Sequence, residues 1–221
     1  MANYDHIIIC GAGRSGTTLI SGLLNAIDGY LIRGENYNFP LFLYKAYRAL
    51  IETENNAESF SNTPTSPWYR GRYGSADFID HCRLVIRAML LGGKPAAFFN
   101  CVGFKEIRWL ARDLQGESLA NYFEFLHQVM PKLGVIVTTR NIDSILQSAW
   151  WPSALVMEPS VGQEIIELYR DLEHLPGDNR FIIAYEQIVA RDQRLVQLFD
   201  FLGESYDPDL IDRVLAKKHS F

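Results

Sequence analysis

A short run of β-branched and apolar residues, His6-Ile7-Ile8-Ile9-Cys10, leads straight into Gly11-Ala12-Gly13-Arg14-Ser15-Gly16-Thr17-Thr18. An apolar stripe at helical spacing follows it, through Leu19, Ile20, Leu23, Leu24 and Ile27. An unbroken apolar strand suits burial on both faces, as in a parallel sheet. A glycine-rich turn between such a strand and a helix is the setting of a phosphate cradle. Glycines allow the tight turn, and the free N–H groups at the helix start point at the anion. The loop therefore predicts an α/β chain that binds phosphates.

The rest of the chain repeats the alternation. Val135-Ile136-Val137-Thr138-Thr139 is a second strand run, Phe181-Ile182-Ile183-Ala184 a third, and a weaker one lies within residues 97–105. Helical periodicity covers 17–27, 39–51, 78–91, 119–130 and 195–202. Strands alternating with helices predict βαβ units. The expected fold class is α/β, a P-loop NTPase-like three-layer fold with a mainly parallel sheet flanked by helices. A length of 221 residues suits one domain over 1–221. The polar stretch 54–75, with Asn55-Asn56, Thr63-Pro64, Ser66-Pro67, Gly71 and Gly74, reads as a long loop or lid on the acceptor side.

Several classes are disfavoured. A net charge of -5 argues against a general nucleic-acid binder. Cys10, Cys82 and Cys101 form neither a disulfide framework nor a zinc spacing, so buried reduced thiols and no metal site are expected. No apolar stretch approaches the roughly 18 residues of a membrane span. The N-terminus lacks the basic residues of a signal peptide, so a cytoplasmic location is expected.

The loop departs from a kinase motif in an informative way. Gly11, four residues and Gly16 match the Walker A spacing, which calls next for Lys and then Ser or Thr. Here Thr17-Thr18 follows, and the cation sits earlier, at Arg14. A dinucleotide fingerprint remains open, because Glu35 lies near the expected acidic position. After the second strand, a magnesium-holding Asp is replaced by Arg140, which suits a further phosphate instead. Ser148 lies eight residues on, about two turns along a helix that starts at Asn141. Arg140 and Ser148 would then meet one anion; a surface arginine beside an exposed serine is the plainer alternative.

Taken together these features resemble the sulfotransferases that use 3'-phosphoadenosine 5'-phosphosulfate (PAPS). In that family an Arg/Lys-Ser-Gly-Thr-Thr loop holds the 5'-phosphosulfate, and an Arg with a Ser eight residues later holds the 3'-phosphate. The resemblance implies that Gly13, Arg14, Ser15, Gly16, Thr17 and Thr18 bind the donor at one end and Arg140 and Ser148 at the other. Gly34-Glu35 resembles the Gly-Glu pair that carries the base in tyrosylprotein sulfotransferases. Gly103-Phe104-Lys105-Glu106-Ile107-Arg108 resembles a segment of those enzymes and of bacterial carbohydrate sulfotransferases of the trehalose and Nod-factor kind. Ala184-Tyr185-Glu186-Gln187-Ile188-Val189 and the ending Phe199 to Gly203 extend the likeness over roughly residues 7 to 204. Two features of the cytosolic branch have no counterpart: its Gly-x-x-Gly-x-x-Lys stretch and its His base. Lys217-Lys218-His219 reads as a basic helix end.

The implied activity is transfer of a sulfuryl group from PAPS to an acceptor hydroxyl. Glu35 would be the general base, better suited to the task if burial raised its pKa. Arg14 and Lys105 would stabilise the transferring group, and Tyr185 would contact the nucleotide. The plainer alternatives are a salt bridge from Glu35 to Arg33, and from Lys105 to Glu106 or Asp113. The bacterial resemblance points to a glycan or glycolipid acceptor rather than a peptide. Trp68, Tyr69, Tyr73, Trp150 and Trp151 would stack on sugar, or else serve as core or interface anchors, with a homodimer among the possibilities. A small-molecule kinase and a non-catalytic nucleotide-binding protein are the competing readings.

Overall fold

The computed structural model describes residues 2–58, 63–68, 73–157 and 159–217, with the backbone alone at 155–157. Tyr69, Gly71 and Lys218-His219 lie outside the described residues. Among the described residues, five parallel strands form one sheet: β1 His6–Cys10, β2 Tyr30–Arg33, β3 Cys101–Glu106, β4 Leu133–Thr139 and β5 Arg180–Ala184. Their order is β2-β3-β1-β4-β5, so the chain winds outward from β1 in both directions. This is the expected α/β three-layer class. At a point of reversal the loops leaving adjacent strands diverge, and a crevice opens at the carboxyl ends of the strands.

The helices are α1 Thr17–Leu24, α2 Phe39–Ala57, α3 Ser75–Leu91, α4 Ala111–Leu114, α5 Leu119–Val129 and α6 Ile142–Leu146. They continue with α7 Trp151–Met157, α8 Val161–Glu173, α9 Tyr185–Ala190, α10 Gln193–Leu202 and α11 Pro208–Leu215. β1 shows why its sequence has no alternation. Ile8 and Cys10 face a core containing Tyr44, Trp109, Tyr122, Phe125 and the α8 stripe Val161, Ile165, Leu168 and Leu172. Ile7 and Ile9 face a second core with α1, α10 and α11. Each of the two layers is thus nailed to the same central strand.

The observed elements refine the predicted ones. β2 has only four residues, alternately buried and partly exposed, at the sheet edge, and its sequence carries no extended apolar run. α2 continues to Ala57 and α3 starts at Ser75, so the two ends of the expected loop 54–75 are helical. α11 opens on Asp207, whose carboxylate accepts the N–H groups of Asp209 and Leu210, with Pro208 in the first turn where no N–H is needed. The three cysteines are buried and unpaired, and burial raises the Cys82 thiol to about 11 and the Cys101 thiol to about 12.

Candidate functional site

The register brings the chemistry to one edge of the sheet. Cys10 pairs with Glu106 and Val137, and Thr139 with Ala184, so Gly11, Ile107, Arg140 and Tyr185 all emerge there. A Cβ on Gly11 would lie 2.4 Å from the Thr138 carbonyl oxygen, so only glycine lets the loop leave β1 pressed against β4. Ser15 is fully buried and its Oγ is 2.7 Å from Thr138 Oγ1, which staples the loop to the same strand.

Arg14 adopts φ 71°, the left-handed region that non-glycine residues avoid. Two contacts over-determine it: Arg140 Nη1 donates to the Arg14 carbonyl at 3.0 Å, and Arg14 Nε donates to Ser148 Oγ at 3.0 Å. Gly16, at φ 101°, precedes α1, and no side chain caps that helix start. The first N–H groups of a helix lack partners inside it and attract anions. Tyr185 packs against Gly16, 3.1 Å from where a Cβ would stand, and the Arg140 guanidinium lies 4.4 Å from the Tyr185 ring centre. Arg140 Nε is buried without a hydrogen-bond partner, a costly arrangement in a closed site.

The loop lines a cavity of about 690 Å³ together with Glu35 and Lys105, Arg140 and Tyr185, and Val189, Arg191, Leu215 and Lys217. That volume suits a small ligand of nucleotide size. Lys105 Nζ donates to Glu35 Oε1 at 2.5 Å and Arg108 Nη1 to Glu35 Oε2 at 3.1 Å. Burial pushes the Glu35 carboxyl up, but Lys105 and then Arg108 outweigh it and hold the carboxyl below its ordinary range. The expected rise is therefore reversed, because two cations stand on the carboxylate. Neither plainer pairing occurs: Arg33 donates instead to the Leu90 and Leu91 carbonyls, and Lys105 turns to Glu35.

The family model described as "Sulfotransferase family" matches residues 6–208. The chain belongs to the sulfotransferase family. It is therefore an enzyme of sulfuryl transfer by family. Solved structures share its fold, two sulfotransferase domains among them. The sulfotransferase domain of the Synechococcus PCC 7002 olefin synthase is 15% identical at a TM-score of 0.56, covering 99% of this chain and 80% of that one. The sulfotransferase domain of the curacin biosynthetic pathway is also 15% identical, at a TM-score of 0.55, covering 96% of this chain and 78% of that one. No curated protein matches the chain.

This sulfotransferase holds its loop with residues that its sequence did not single out for the task. Trp151 Nε1 donates to the Gly13 carbonyl at 3.0 Å, and Trp150, 50% exposed, has Cζ2 2.8 Å from where a Gly13 Cβ would stand. Trp151 thus anchors the loop, while its neighbour faces the cavity. Trp151→Phe removes the N–H and leaves the Gly13 carbonyl without that donor, an expected loss of about 1–3 kcal/mol. Thermal unfolding should report it as a Tm lower by roughly 2–4 °C per kcal/mol at this chain length. An unchanged Tm would show that the indole bond does not hold the loop.

Other placements differ from the sequence picture. α6 ends at Leu146, so Ser148 follows the helix rather than riding on it, and its hydroxyl serves Arg14. Lys217 does follow a helix, yet it also lines the cavity. Arg191, at φ 52° and paired with Asp212 at 2.7 Å, lines it too, brought there by a helix end that no local motif marks. Among the described residues, no group of three or more His, Cys, Asp and Glu is placed to hold a metal ion.

Proposed function

We propose that the protein moves a sulfuryl group from PAPS to an acceptor hydroxyl, with the donor seated in the 690 Å³ cavity. One observation carries the reading. The cavity is lined at two separate points by groups suited to anions, the uncapped start of α1 and Arg140, whose Nε lacks a hydrogen-bond partner. A donor with a 5'-phosphosulfate and a separate 3'-phosphate requires two such points. Gly13, Arg14, Gly16, Thr17 and Thr18 would hold the first group, and Arg140, backed by Tyr185, the second. Ser15 and Ser148 act behind the loop, through Thr138 and Arg14.

In the transfer, the acceptor oxygen forms a bond to sulfur as the bond from sulfur to the bridging phosphate oxygen breaks, in line as in phosphoryl transfer. Glu35 takes the acceptor proton. Arg14 and Lys105 face the same cavity and neutralise charge on the departing oxygen. Lys105 has two claimants, Glu35 and the anionic donor, so donor binding draws it from the carboxylate and leaves Glu35 more basic. A glycan or glycolipid acceptor suits the exposed faces of Trp150 and Tyr37, which lie near Gly13 and over Arg108 respectively.

The test is incubation of the protein with labelled PAPS and a panel of glycans, glycolipids and tyrosine peptides, beside a parallel arm with ATP and magnesium. Transfer of label from PAPS to a glycan or glycolipid is the expected result. Transfer only to peptide would overturn the acceptor class, and phosphoryl transfer from ATP alone would overturn the donor.

A further inference from the structure

Glu106 is a buried carboxylate that the transfer chemistry does not use. It closes β3 and is 0% exposed, yet five donors surround it. Its Oε2 accepts the N–H groups of Asn36 at 3.2 Å and Asn38 at 2.8 Å. Its Oε1 accepts the N–H groups of Ile107 at 2.9 Å and Arg108 at 3.2 Å, and Arg108 Nη1 at 3.0 Å. A carboxylate in the interior is costly unless its lone pairs are filled and its charge is met. Here both conditions hold, and the donors come from two segments about 70 residues apart in sequence.

The segment that Glu106 captures is the turn carrying Glu35. Tyr37 and Asn38 adopt φ 59° and 51°, left-handed conformations at two successive non-glycine residues that isolated turns disfavour. Asn38 is further tied, its Nδ2 donating to the Arg108 carbonyl at 2.9 Å and its Oδ1 accepting from Tyr122 Oη at 2.8 Å. Arg108 Nη1 stands between two carboxylates, 3.0 Å from Glu106 and 3.1 Å from Glu35. Arg108 is therefore held from behind, whereas Lys105, which bonds to Glu35 without a second carboxylate behind it, is the cation available for exchange.

We infer that Glu106 is the positioning residue of the general base: it pins the turn 34–38 and fixes Arg108, so that Glu35 presents a set geometry to the acceptor and yields only Lys105 to the donor. This rests on Glu35 being the base, but its direct readout does not. The charged groups around Glu35 are Lys105 on β3, Arg108 beyond its end, Glu106 behind Arg108, and Arg14, Arg140, Arg191 and Lys217 in the same cavity.

The test is Glu106→Gln, which keeps the volume and removes the charge and one acceptor. Turnover with PAPS and an acceptor should fall about 10- to 100-fold, since a displacement near 1 Å costs this much. Binding of 3'-phosphoadenosine 5'-phosphate, which the proposed seating puts on the loop rather than on the turn, should stay within about twofold by isothermal titration calorimetry. The Glu35 carboxyl, followed by ¹³C NMR and assigned by its loss in Glu35→Gln, should titrate higher than in the parent protein, because its drift from Lys105 and Arg108 outweighs the opposing loss of the Glu106 charge. An unmoved or lowered titration in a folded variant would overturn the inference. A loss of nucleotide affinity matching the loss of turnover would also overturn it, by showing general damage. Where Glu106→Gln does not fold, Glu106→Asp keeps the charge but reaches only part of the donor set, and the same upward shift is expected of it. If Glu35→Gln leaves turnover intact while the Glu106 variants still move the titration, the base assignment fails and the pinning stands.

Discussion

Glu35→Gln is expected to lower turnover by about 10²–10⁴-fold, the usual contribution of a positioned base. The same change should leave nucleotide binding equal or tighter. The direction of the second effect follows from Lys105, which lines the same cavity as the loop and whose ammonium is 2.5 Å from Glu35 Oε1. An amide does not hold an ammonium as a carboxylate does, so the variant delivers Lys105 to the anionic donor without competition. A variant that merely disturbed the fold would weaken both properties together. Unchanged turnover would end the case for Glu35 as the base.

The ion pair also fixes the pH behaviour. Lys105 and Arg108 keep the Glu35 carboxyl below its ordinary range against the opposing effect of burial, so the base form persists as the solution is acidified. The acid limb of kcat/KM, which reports the free enzyme, should therefore fall below the usual carboxylate range near 4.3. If the donor claims Lys105 as proposed, the carboxyl loses a cation and its pKa rises, so the acid limb of kcat should lie at higher pH than that of kcat/KM. Linkage makes the effect reciprocal: nucleotide affinity rises as Glu35 takes up its proton. In Glu35→Gln this pH dependence of binding should vanish. A dependence that survives the substitution would locate the titrating group elsewhere.

What could be read from the chain divides along a physical line. The loop was legible because its demands are local. Gly11 must let the chain leave β1 against Thr138, Gly16 must turn the backbone to φ 101°, and both needs appear as glycines in the right order. β1 and β4 were legible because strands buried on both faces leave continuous apolar runs. β2 was not, since an edge strand of four residues leaves almost no pattern. The direction of the Glu35 shift was not legible either, for it depends on Lys105 and Arg108, some 70 residues away and brought close by the pairing of β2 with β3. Lys217 is a similar case: it reaches the cavity only because α11 packs against α1. Sequence shows which side chains have charge to offer, and the sheet order decides which of them meet.

Arg140→Ala is the second large effect expected, a loss of donor affinity of about 10²- to 10³-fold, or roughly 3–4 kcal/mol. The size reflects a charged, forked donor whose Nε is buried without a partner, an arrangement whose cost is offset once an anion accepts from it. The same guanidinium also supports the loop, because its Nη1 holds the Arg14 carbonyl at 3.0 Å. Two nucleotides separate these duties. PAPS carries the 3'-phosphate that Arg140 would grip, while adenosine 5'-phosphosulfate lacks it and reports only on the loop. The predicted pattern is a large loss for the first and a small one for the second. Arg140→Lys keeps the charge but lacks the planar fork that lies over Tyr185 and bonds to Arg14, so it should recover only part of the affinity. Equal losses for both nucleotides would confine Arg140 to holding Arg14 in its left-handed turn, and the second anion point would then have to be sought at Arg191 and Lys217.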